Sequence, residues 1–161
     1  MSKWTHALAA TLAAAITLPA VASAQSGTLT DKDRAEIKQL SDNYVTYLDG
    51  CKATEYANLF AADGAFISGP RGTLTGPDQL AGLVTSERFC KPGATAGGTM
   101  SHAFSKIVIE PSATGATGKV YLPGRNGASG GHYEDTYVKT PEGWKFKTRQ
   151  YLSPKEETTA Q

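Results

Sequence analysis

The stretch Gly131-His132-Tyr133-Glu134-Asp135-Thr136-Tyr137-Val138-Lys139 is followed by Thr140-Pro141-Glu142-Gly143 and then by Trp144-Lys145-Phe146-Lys147-Thr148-Arg149-Gln150-Tyr151. Aromatic and β-branched residues on both sides of a short Pro/Gly segment predict an antiparallel hairpin. Side chains alternate along a strand, so one face of the first strand should carry His132, Glu134, Thr136 and Val138 and the other Tyr133, Asp135 and Tyr137. His132 then either enters a pocket or lies at a solvated strand end.

The first 24 residues have the pattern of a signal peptide. Lys3 and His6 give a weakly basic start, residues 7–18 form an apolar run too short to remain in a bilayer, and Ala22-Ser23-Ala24 is a small-x-small cleavage signal. We therefore expect a periplasmic or secreted protein that begins near Gln25. Residues 25–161 suit a single domain with its core at about 30–152 and a polar tail.

The composition argues against two classes of partner. The chain holds 16 basic and 15 acidic residues, so its net charge is close to zero. A nucleic-acid partner is therefore not expected, and neither is a membrane partner after signal cleavage.

Two cysteines, Cys51 and Cys90, could form one disulfide in an oxidising compartment. Pairing requires their Cα atoms to lie within about 7 Å, which the sequence does not determine. They have no Cys-x-x-Cys spacing and no nearby His, so neither a zinc site nor a thioredoxin-like pair is expected.

Hydrophobic spacing predicts three helices that precede most of the strands. Thr30-Asp31-Lys32-Asp33 has the pattern of a helix start, and apolar residues recur at helical spacing up to Gly50, namely Ile37, Leu40, Tyr44, Tyr47 and Leu48. Shorter helices are predicted at about 52–62 and 78–87. Strands are predicted at about 65–68, 73–75, 100–110 and 116–122 and in the hairpin.

This order predicts an α+β fold, in which a curved antiparallel sheet wraps the long first helix and two shorter helices close the pocket of the resulting cone. Residues 89–98 contain Pro92-Gly93 and Gly97-Gly98 and are predicted to form a mobile loop over the pocket. The glycine-rich segment 124–131 lacks the strand-loop-helix context of a phosphate-binding loop.

The element order resembles the SnoaL-like branch of the nuclear-transport-factor-2-like superfamily over residues 30–152. The residues that carry the resemblance are Tyr44, Leu59-Phe60-Ala61-Ala62-Asp63-Gly64, Gly76, His102, Gly131-His132-Tyr133-Glu134-Asp135, Gly143-Trp144 and Arg149. The resemblance implies a cone-shaped fold, a small hydrophobic ligand, a homodimer, and no cofactor or metal. It does not select a function, because this fold is shared by isomerases, dehydratases, cyclases, epoxide hydrolases and binding proteins.

Ketosteroid isomerase members of the superfamily compare poorly with this chain. Tyr44 occupies the position of their oxyanion-stabilising Tyr. Their catalytic Asp corresponds to Ser68, however, and their second oxyanion donor, a protonated Asp, corresponds to His132. Because Ser cannot act as that base at neutral pH, the resemblance disfavours steroid isomerisation.

Scytalone dehydratase members compare better, since their catalytic Asp and two histidines resemble Asp49, His102 and His132. Their tyrosine on the first strand again corresponds to Ser68. We interpret His102 as the acid/base group, Asp49 as the partner that orients His132, and Tyr44 as the donor to a developing oxyanion. The expected substrate contacts are Phe66, Ser68, Phe104 and Glu134.

Each of these residues also has a structural explanation. His102 could be a core or surface histidine, Asp49 could merely end a helix, and Tyr44 continues the apolar stripe of the first helix. A structural charge pair is expected within the set Glu134, Asp135 and Arg149, and two histidines with a carboxylate could mimic a metal triad. The candidate functions are a cofactor-free lyase for small hydroxylated aromatic or polycyclic molecules, acting by dehydration or by a related elimination such as formaldehyde loss; an isomerase or cyclase; and a non-catalytic binding or dimerisation module.

Overall fold

The computed structural model describes residues 28–86, 89–90, 102–124 and 129–157. The predicted signal peptide, most of the predicted 89–98 loop and half of the glycine-rich 124–131 segment lie outside these residues.

The first half of the described chain contains two helices, then two strands, then a third helix, and four further strands and a short helix follow. The helices are α1 (Asp31–Asp49), α2 (Ala53–Ala57), α3 (Gly76–Thr85) and α4 (Pro154–Glu157), with a short 3₁₀ turn at Gly69–Arg71. The strands are β1 (Phe60–Ser68), β2 (Gly72–Thr75), β3 (Lys106–Ser112), β4 (Gly115–Pro123), β5 (Ser129–Thr140) and β6 (Gly143–Leu152).

These strands form one six-stranded sheet in the order β2-β1-β6-β5-β4-β3. The predicted hairpin is β5 and β6, which pair antiparallel with Asp135 opposite Arg149. β1 pairs parallel to β6, and the other four pairings are antiparallel. The α+β prediction is confirmed, with one parallel pairing in a sheet that we expected to be wholly antiparallel.

Helix α1 follows its sequence pattern closely. Thr30 and Asp33 form a capping box that satisfies the first free N–H groups of the helix. The residues of the predicted stripe that become buried are Ile37, Leu40, Tyr44 and Leu48. They pack with side chains of β1, β4, β5 and β6 into one hydrophobic core. We call the side of the sheet that meets this core the inner face and the opposite side the outer face.

A β-bulge in the hairpin determines which side chains reach the inner face. Thr148 is opposite Thr136 and Phe146 is opposite Tyr137, so Lys147 is an extra residue in β6. Phe146 and Arg149 therefore lie on the same face although they are three residues apart, and both are fully buried.

Several predicted boundaries are wrong. The second helix ends at Ala57 rather than near Ala62, because Phe60 already pairs with Phe146 in β6. The third helix begins two residues before Asp78. β3 begins at Lys106, later than expected, and extends through Pro111 into the predicted turn. The predicted polar tail includes the short helix α4.

Candidate active site

A short polar contact joins Asp49 and His102, which are 53 residues apart in the chain. Asp49 Oδ1 lies 2.5 Å from His102 Nδ1, and Asp49 Oδ2 accepts a 2.7 Å hydrogen bond from the His102 backbone N–H. Both side chains are largely buried, with exposed fractions of 23% and 10%. A carboxylate only accepts hydrogen bonds, so Nδ1 carries the proton and the neutral ring has its lone pair on Nε2.

The end of α1 and the disulfide fix the position of this pair. Asp49 is the last residue of α1, and Cys51 two residues later adopts a left-handed conformation with φ of 58°. Cys51 is bonded to Cys90, with their Cα atoms 5.7 Å apart. The neighbouring Phe89 places its ring 5.9 Å from the ring of His102. The bridge therefore connects the chain just after Asp49 to the chain just after Phe89, whose ring packs against the imidazole of His102.

Nε2 of His102 faces no protein partner among the described residues. Phe104, two residues further on, lies 6.3 Å from Tyr133 and 5.6 Å from the guanidinium of Arg149, measured to the ring centroids. Phe104 also lines a groove of about 510 Å³ between α1 and β3. His102 is thus followed, two positions later, by a residue that packs in the aromatic interior.

We call this interior the aromatic chamber and define it by Tyr44, Tyr56, Phe104, Tyr133, Phe146 and Arg149. The guanidinium carbon of Arg149 lies 4.2 Å from the ring of Tyr44, 4.5 Å from that of Tyr133 and 4.2 Å from that of Phe146. Arginine stacks well on aromatic faces because its planar cation is weakly hydrated.

Asp135 neutralises the buried charge of Arg149. Nε and Nη2 of Arg149 donate to the two carboxylate oxygens of Asp135 at 2.9 and 2.7 Å, and neither side chain has exposed surface. Burial by itself lowers the pKa of Arg149, but the charge and hydrogen bonds of Asp135 outweigh it and hold the pKa above its ordinary value. The predicted charge pair is thus present as Asp135 with Arg149, while Glu134 takes no part in it.

The tyrosines of the chamber stay protonated at neutral pH. Burial raises the pKa of Tyr44, Tyr56 and Tyr133 above the ordinary value of 10.0, and the positive charge of Arg149 offsets this rise only in part. The hydroxyl groups are therefore available as hydrogen-bond donors throughout the physiological pH range.

Some buried polar atoms near this chamber have no hydrogen-bond partner among the described residues, and they include Arg149 Nη1, Tyr56 Oη and Ser68 Oγ. The Tyr56 hydroxyl is close enough to Tyr44 to influence its pKa, but the two groups do not meet hydrogen-bond geometry. Unpaired polar atoms are rare in protein interiors, so these three atoms distinguish this part of the core from an ordinary apolar one.

Two predicted site residues, His132 and Glu134, lie on the outer face. The His132 ring is 5.7 Å from Tyr121, its register partner on β4, and Nε2 lies 3.3 Å from Glu134. The expected pairing of Asp49 with His132 is wrong, because both Asp49 oxygens contact His102 instead. Glu134 lies 3.1 Å from Lys119, whose hydrogen bond, with a smaller contribution from His132, lowers the pKa of Glu134.

The other predicted residues share the inner face with the chamber. Phe66 and Ser68 are buried on β1, and Arg149 is the register partner of Phe66. Sequence reasoning did not assign Arg149, Tyr56 or Tyr133 to the site. The available signal was the expected charge pair that includes Asp135 and Arg149 across the hairpin. Because of the bulge at Lys147, alternation along β6 did not show that Arg149 lies on the inner face.

Two features are absent from the described residues, namely a membrane-spanning helix and a metal-binding cluster. No helix among them is both long and apolar enough to cross a membrane. They also contain no group of three or more His, Cys, Asp and Glu side chains arranged to hold a metal ion, so the alternative triad of two histidines and a carboxylate is not assembled by these residues.

Comparison with protein families and solved structures shows which known proteins share this architecture. Residues 30–150 match the model of the SnoaL-like domain. A protein from Novosphingobium aromaticivorans, described as a candidate scytalone dehydratase, is 26% identical, with a TM-score of 0.59 over 76% of this chain and 84% of its own.

Two further structures share the fold at lower identity. An NTF2-like protein with a cystatin-like fold, also from Novosphingobium aromaticivorans, is 20% identical, with a TM-score of 0.61 over 81% of this chain and 90% of its own. A protein of unknown function from Nostoc punctiforme is 23% identical, with a TM-score of 0.61 over 78% of this chain and 93% of its own. No curated protein matched by sequence.

Proposed function

We propose that this chain, which belongs to the SnoaL-like domain family, is a cofactor-free lyase that eliminates water, or a related small group such as formaldehyde, from a small aromatic or polycyclic hydroxylated molecule. The observation that carries the proposal is the Asp49–His102 pair, whose imidazole leaves Nε2 without a partner among the described residues and lies two positions before Phe104 of the aromatic chamber. A general base oriented by a carboxylate and adjoining an apolar site suits removal of a carbon-bound proton.

In the proposed dehydration, one imidazole serves as base and then as acid. Nε2 of His102 takes a proton from carbon, the electrons of that C–H bond form the new double bond, and the C–O bond to the leaving hydroxyl breaks. The imidazolium then returns its proton to the departing oxygen, which leaves as water. Asp49 stabilises the imidazolium between the two steps through its bond to Nδ1.

Tyr44 is the proposed donor to negative charge that develops on the substrate. Its hydroxyl remains protonated because burial raises its pKa, and its ring contacts Tyr56, Tyr133 and Phe146 within the chamber. A fixed donor in a site that excludes water stabilises an oxyanion more strongly than the same donor in water does. Phe66, Ser68 and Phe104 are the proposed substrate contacts. The positions of His132 and Glu134 on the outer face argue against direct roles for these two residues.

A panel assay tests the reaction class. The purified chain is incubated with hydroxylated aromatic and polycyclic ketones, and the products are followed by mass spectrometry for loss of water or formaldehyde, with ultraviolet absorbance to detect isomers of unchanged mass. We expect turnover in wild type and its loss in His102→Gln. Products of unchanged mass would support an isomerase instead, and saturable binding without any product would support a binding module.

Export is part of the proposal. The disulfide between Cys51 and Cys90 suits an oxidising compartment such as the periplasm or the cell exterior, and the proposed cleavage site follows Ala24. Intact mass of the protein recovered from the periplasm or medium should correspond to a chain starting at Gln25 with no free thiol. A chain that retains residues 1–24, or that is found only in the reducing cytoplasm, would contradict export.

A homodimer formed through the outer face is also proposed. The outer face has a groove of about 470 Å³ whose lining includes Val108, Tyr121, Glu134 and Gln150. Light scattering should give twice the chain mass at micromolar concentration, and a charge reversal at Glu134 should lower that mass. A monomer at all concentrations would contradict this part of the proposal.

A further inference from the structure

We propose that the groove between α1 and β3 binds one molecule of a free aliphatic carboxylate, of which a medium-chain fatty acid is the simplest example. The groove has a volume of about 510 Å³ and lies beside β3, the last strand at one edge of the sheet. The proposal does not depend on the lyase reaction or on the dimer, so each of them can fail without the others.

The floor of the groove is apolar and only partly covered. Phe104, Ile107 and Ile109 line it from the β3 side, and all three are partly exposed although they pack against the core. On the helix side the groove is lined by the small side chain of Ala35. An apolar strip bordered by charged residues is typical of a binding surface. Because most of this strip is aliphatic and narrow, it suits an alkyl chain.

A row of charged residues on α1 borders the apolar floor. Arg34, Lys38 and Asp42 recur every four residues, so they lie on one side of the helix, and all three line the groove. Lys106 also lines it, but its Nζ lies 5.8 Å from the ring centroid of Tyr121 on the outer face. The border on α1 thus has two positive charges and one negative charge, and it favours an anionic ligand.

The groove extends along α1 and β3, which run in opposite directions. Arg34 contacts Ile109, whereas Asp49 contacts His102. Phe104 therefore lies at the end of the groove that is nearer to His102. Five residues separate Phe104 from Ile109, a span of about 16 Å in an extended chain. A groove of this length can hold a single alkyl chain of medium length.

The two ends of the groove differ in charge. Arg34 Nη1 donates a 2.5 Å hydrogen bond to the backbone oxygen of Ile109, and its other nitrogens have no acceptor among the described residues. Asp42 lies about 12 Å further along α1, and its carboxylate accepts a 2.6 Å hydrogen bond from Lys38. Because Asp42 repels another carboxylate, the head group is expected at Arg34, with the alkyl chain directed toward Phe104.

A membrane surface could supply the same combination of an anionic head group and alkyl chains, but the groove suits it less well. Binding to anionic bilayers commonly uses clusters of four to eight Lys and Arg side chains, and here only Arg34 and Lys38 border the groove on α1. The apolar strip is also recessed between a helix and a strand. These features favour a free carboxylate over a lipid surface.

Three amphiphiles with the same alkyl chain test the assignment on the wild-type protein, namely dodecanoate, dodecanol and dodecyltrimethylammonium, each below the concentration at which it forms micelles. We expect dodecanoate to bind about five- to tenfold more tightly than dodecanol, as for one or two exposed ion pairs. The cation should bind most weakly. Added salt should reduce the preference for dodecanoate, because exposed charges are screened. Isothermal titration calorimetry measures these affinities.

Methyl NMR resonances locate the bound chain. Those of Ile107 and Ile109 should shift on addition of dodecanoate, whereas those of Ile67 should not, because Ile67 is on β1 and three strands separate β1 from β3. Ala35→Phe should fill the groove and remove the binding of both dodecanoate and dodecanol. Ala35 is exposed, so this variant should keep the wild-type melting temperature.

Charge variants on α1 test the orientation. Arg34→Gln should lower the affinity for dodecanoate to about that for dodecanol. Asp42→Asn should raise the affinity for dodecanoate several-fold without changing that for dodecanol, because it removes a repelling charge and releases Lys38. Lys32→Gln is the matched control, since Lys32 is 83% exposed on the same helix and pairs with Glu36. It should keep the preference for dodecanoate.

Equal affinities for the three amphiphiles, shifts at Ile67 but not at Ile107 and Ile109, unchanged binding in Ala35→Phe, or weaker dodecanoate binding in Asp42→Asn would overturn the assignment. Sedimentation with phosphatidylglycerol vesicles, without binding of monomeric dodecanoate, would also overturn it, because a membrane surface would then be the partner. Dodecanoate binding in a chain that turns over no substrate of the panel would support the groove and reject only the proposed reaction.

Discussion

Two neighbouring acids on β5, Glu134 and Asp135, show how differently the two faces of the sheet use the same chemistry. Asp135 is on the inner face and binds Arg149 through both oxygens, with no exposed surface on either side chain. Glu134 is on the outer face, 49% exposed, and meets Lys119, which is 41% exposed. The inner pair is held in a low-dielectric interior, whereas the outer pair is screened by solvent.

The two histidines are both buried and differ in their partners instead. His102 binds the carboxylate of Asp49 and leaves Nε2 without a described protein partner, while His132 directs Nε2 to Glu134. The grooves beside the two faces have similar volumes, about 510 and 470 Å³. Volume therefore does not distinguish them. The inner side differs in its Asp49–His102 pair, its aromatic side chains and its buried polar atoms without a partner among the described residues.

The largest expected stability effect sharpens the comparison between the acids. Asp135→Asn leaves the buried charge of Arg149 without its counter-ion, and we expect a loss of about 3 to 5 kcal/mol in the free energy of unfolding. Glu134→Gln, the matched control one residue away, should cost about 1 kcal/mol or less because the pair is exposed and screened.

Urea denaturation at low and high salt measures both losses. Only the Glu134→Gln cost should shrink with salt. Equal losses in the free energy of unfolding for the two substitutions would show that the buried pair stabilises the fold no more than the exposed pair does.

The second effect concerns the disulfide beside His102. Cys51 and Cys90 are 39 residues apart, and chain-entropy reasoning gives the bridge about 4 kcal/mol at most. Replacing both cysteines with Ser should lower the melting temperature and also reduce turnover, because Cys51 follows Asp49 closely and Phe89 packs on His102.

Calorimetry with and without reductant checks the stability loss. The wild type should respond to reductant and the double variant should not. A wild-type melting temperature that reduction leaves unchanged would contradict the stabilising role.

A smaller effect is expected at Asp33, where α1 meets the hairpin. Its carboxylate accepts hydrogen bonds from Lys139, Thr30 and Trp144, which hold its pKa well below the ordinary value of 3.8. A lowered folded-state pKa contributes stability that is fully present above the unfolded-state pKa and is lost as pH falls through the folded-state value.

Asp33→Asn should therefore cost about 1 to 2 kcal/mol near pH 7. The difference from wild type should narrow as the pH falls below about 4, the range in which unfolded Asp takes up its proton. Thermal melts from pH 7 to pH 2 check this, and a cost that stays constant over that range would contradict the assigned cause.

The sequence predicted the elements that depend on local pattern. The stripe of α1 and the β5–β6 hairpin are present because spacing of three or four residues and alternation are local properties of the chain. The second helix was overextended because residues 58–62 read as helical, and only pairing of Phe60 with Phe146 makes them a strand. Tertiary pairing overrides such weak preferences.

The site was predictable only in part. Asp49, His102 and Tyr44 were predicted as site residues through a family resemblance, and the expected partner of Asp49 was wrong, because no local signal relates residues 53 positions apart. Alternation correctly separated His132 from Tyr133 but could not say which face is buried, since both faces mix polar and apolar residues. Arg149 was predicted only as part of a structural charge pair, because one bulged residue, Lys147, reverses the alternation of β6.

We propose that the inner histidine, His102, and not the outer one, His132, performs the chemistry. The most direct test of this proposal is the turnover of His102→Gln and His132→Gln measured side by side on a substrate found with the panel. The account predicts a fall of about 10²- to 10⁴-fold for His102→Gln, as for loss of a general acid/base, and a change within a few-fold for His132→Gln. Wild-type turnover in His102→Gln, or the larger loss in His132→Gln, would contradict it.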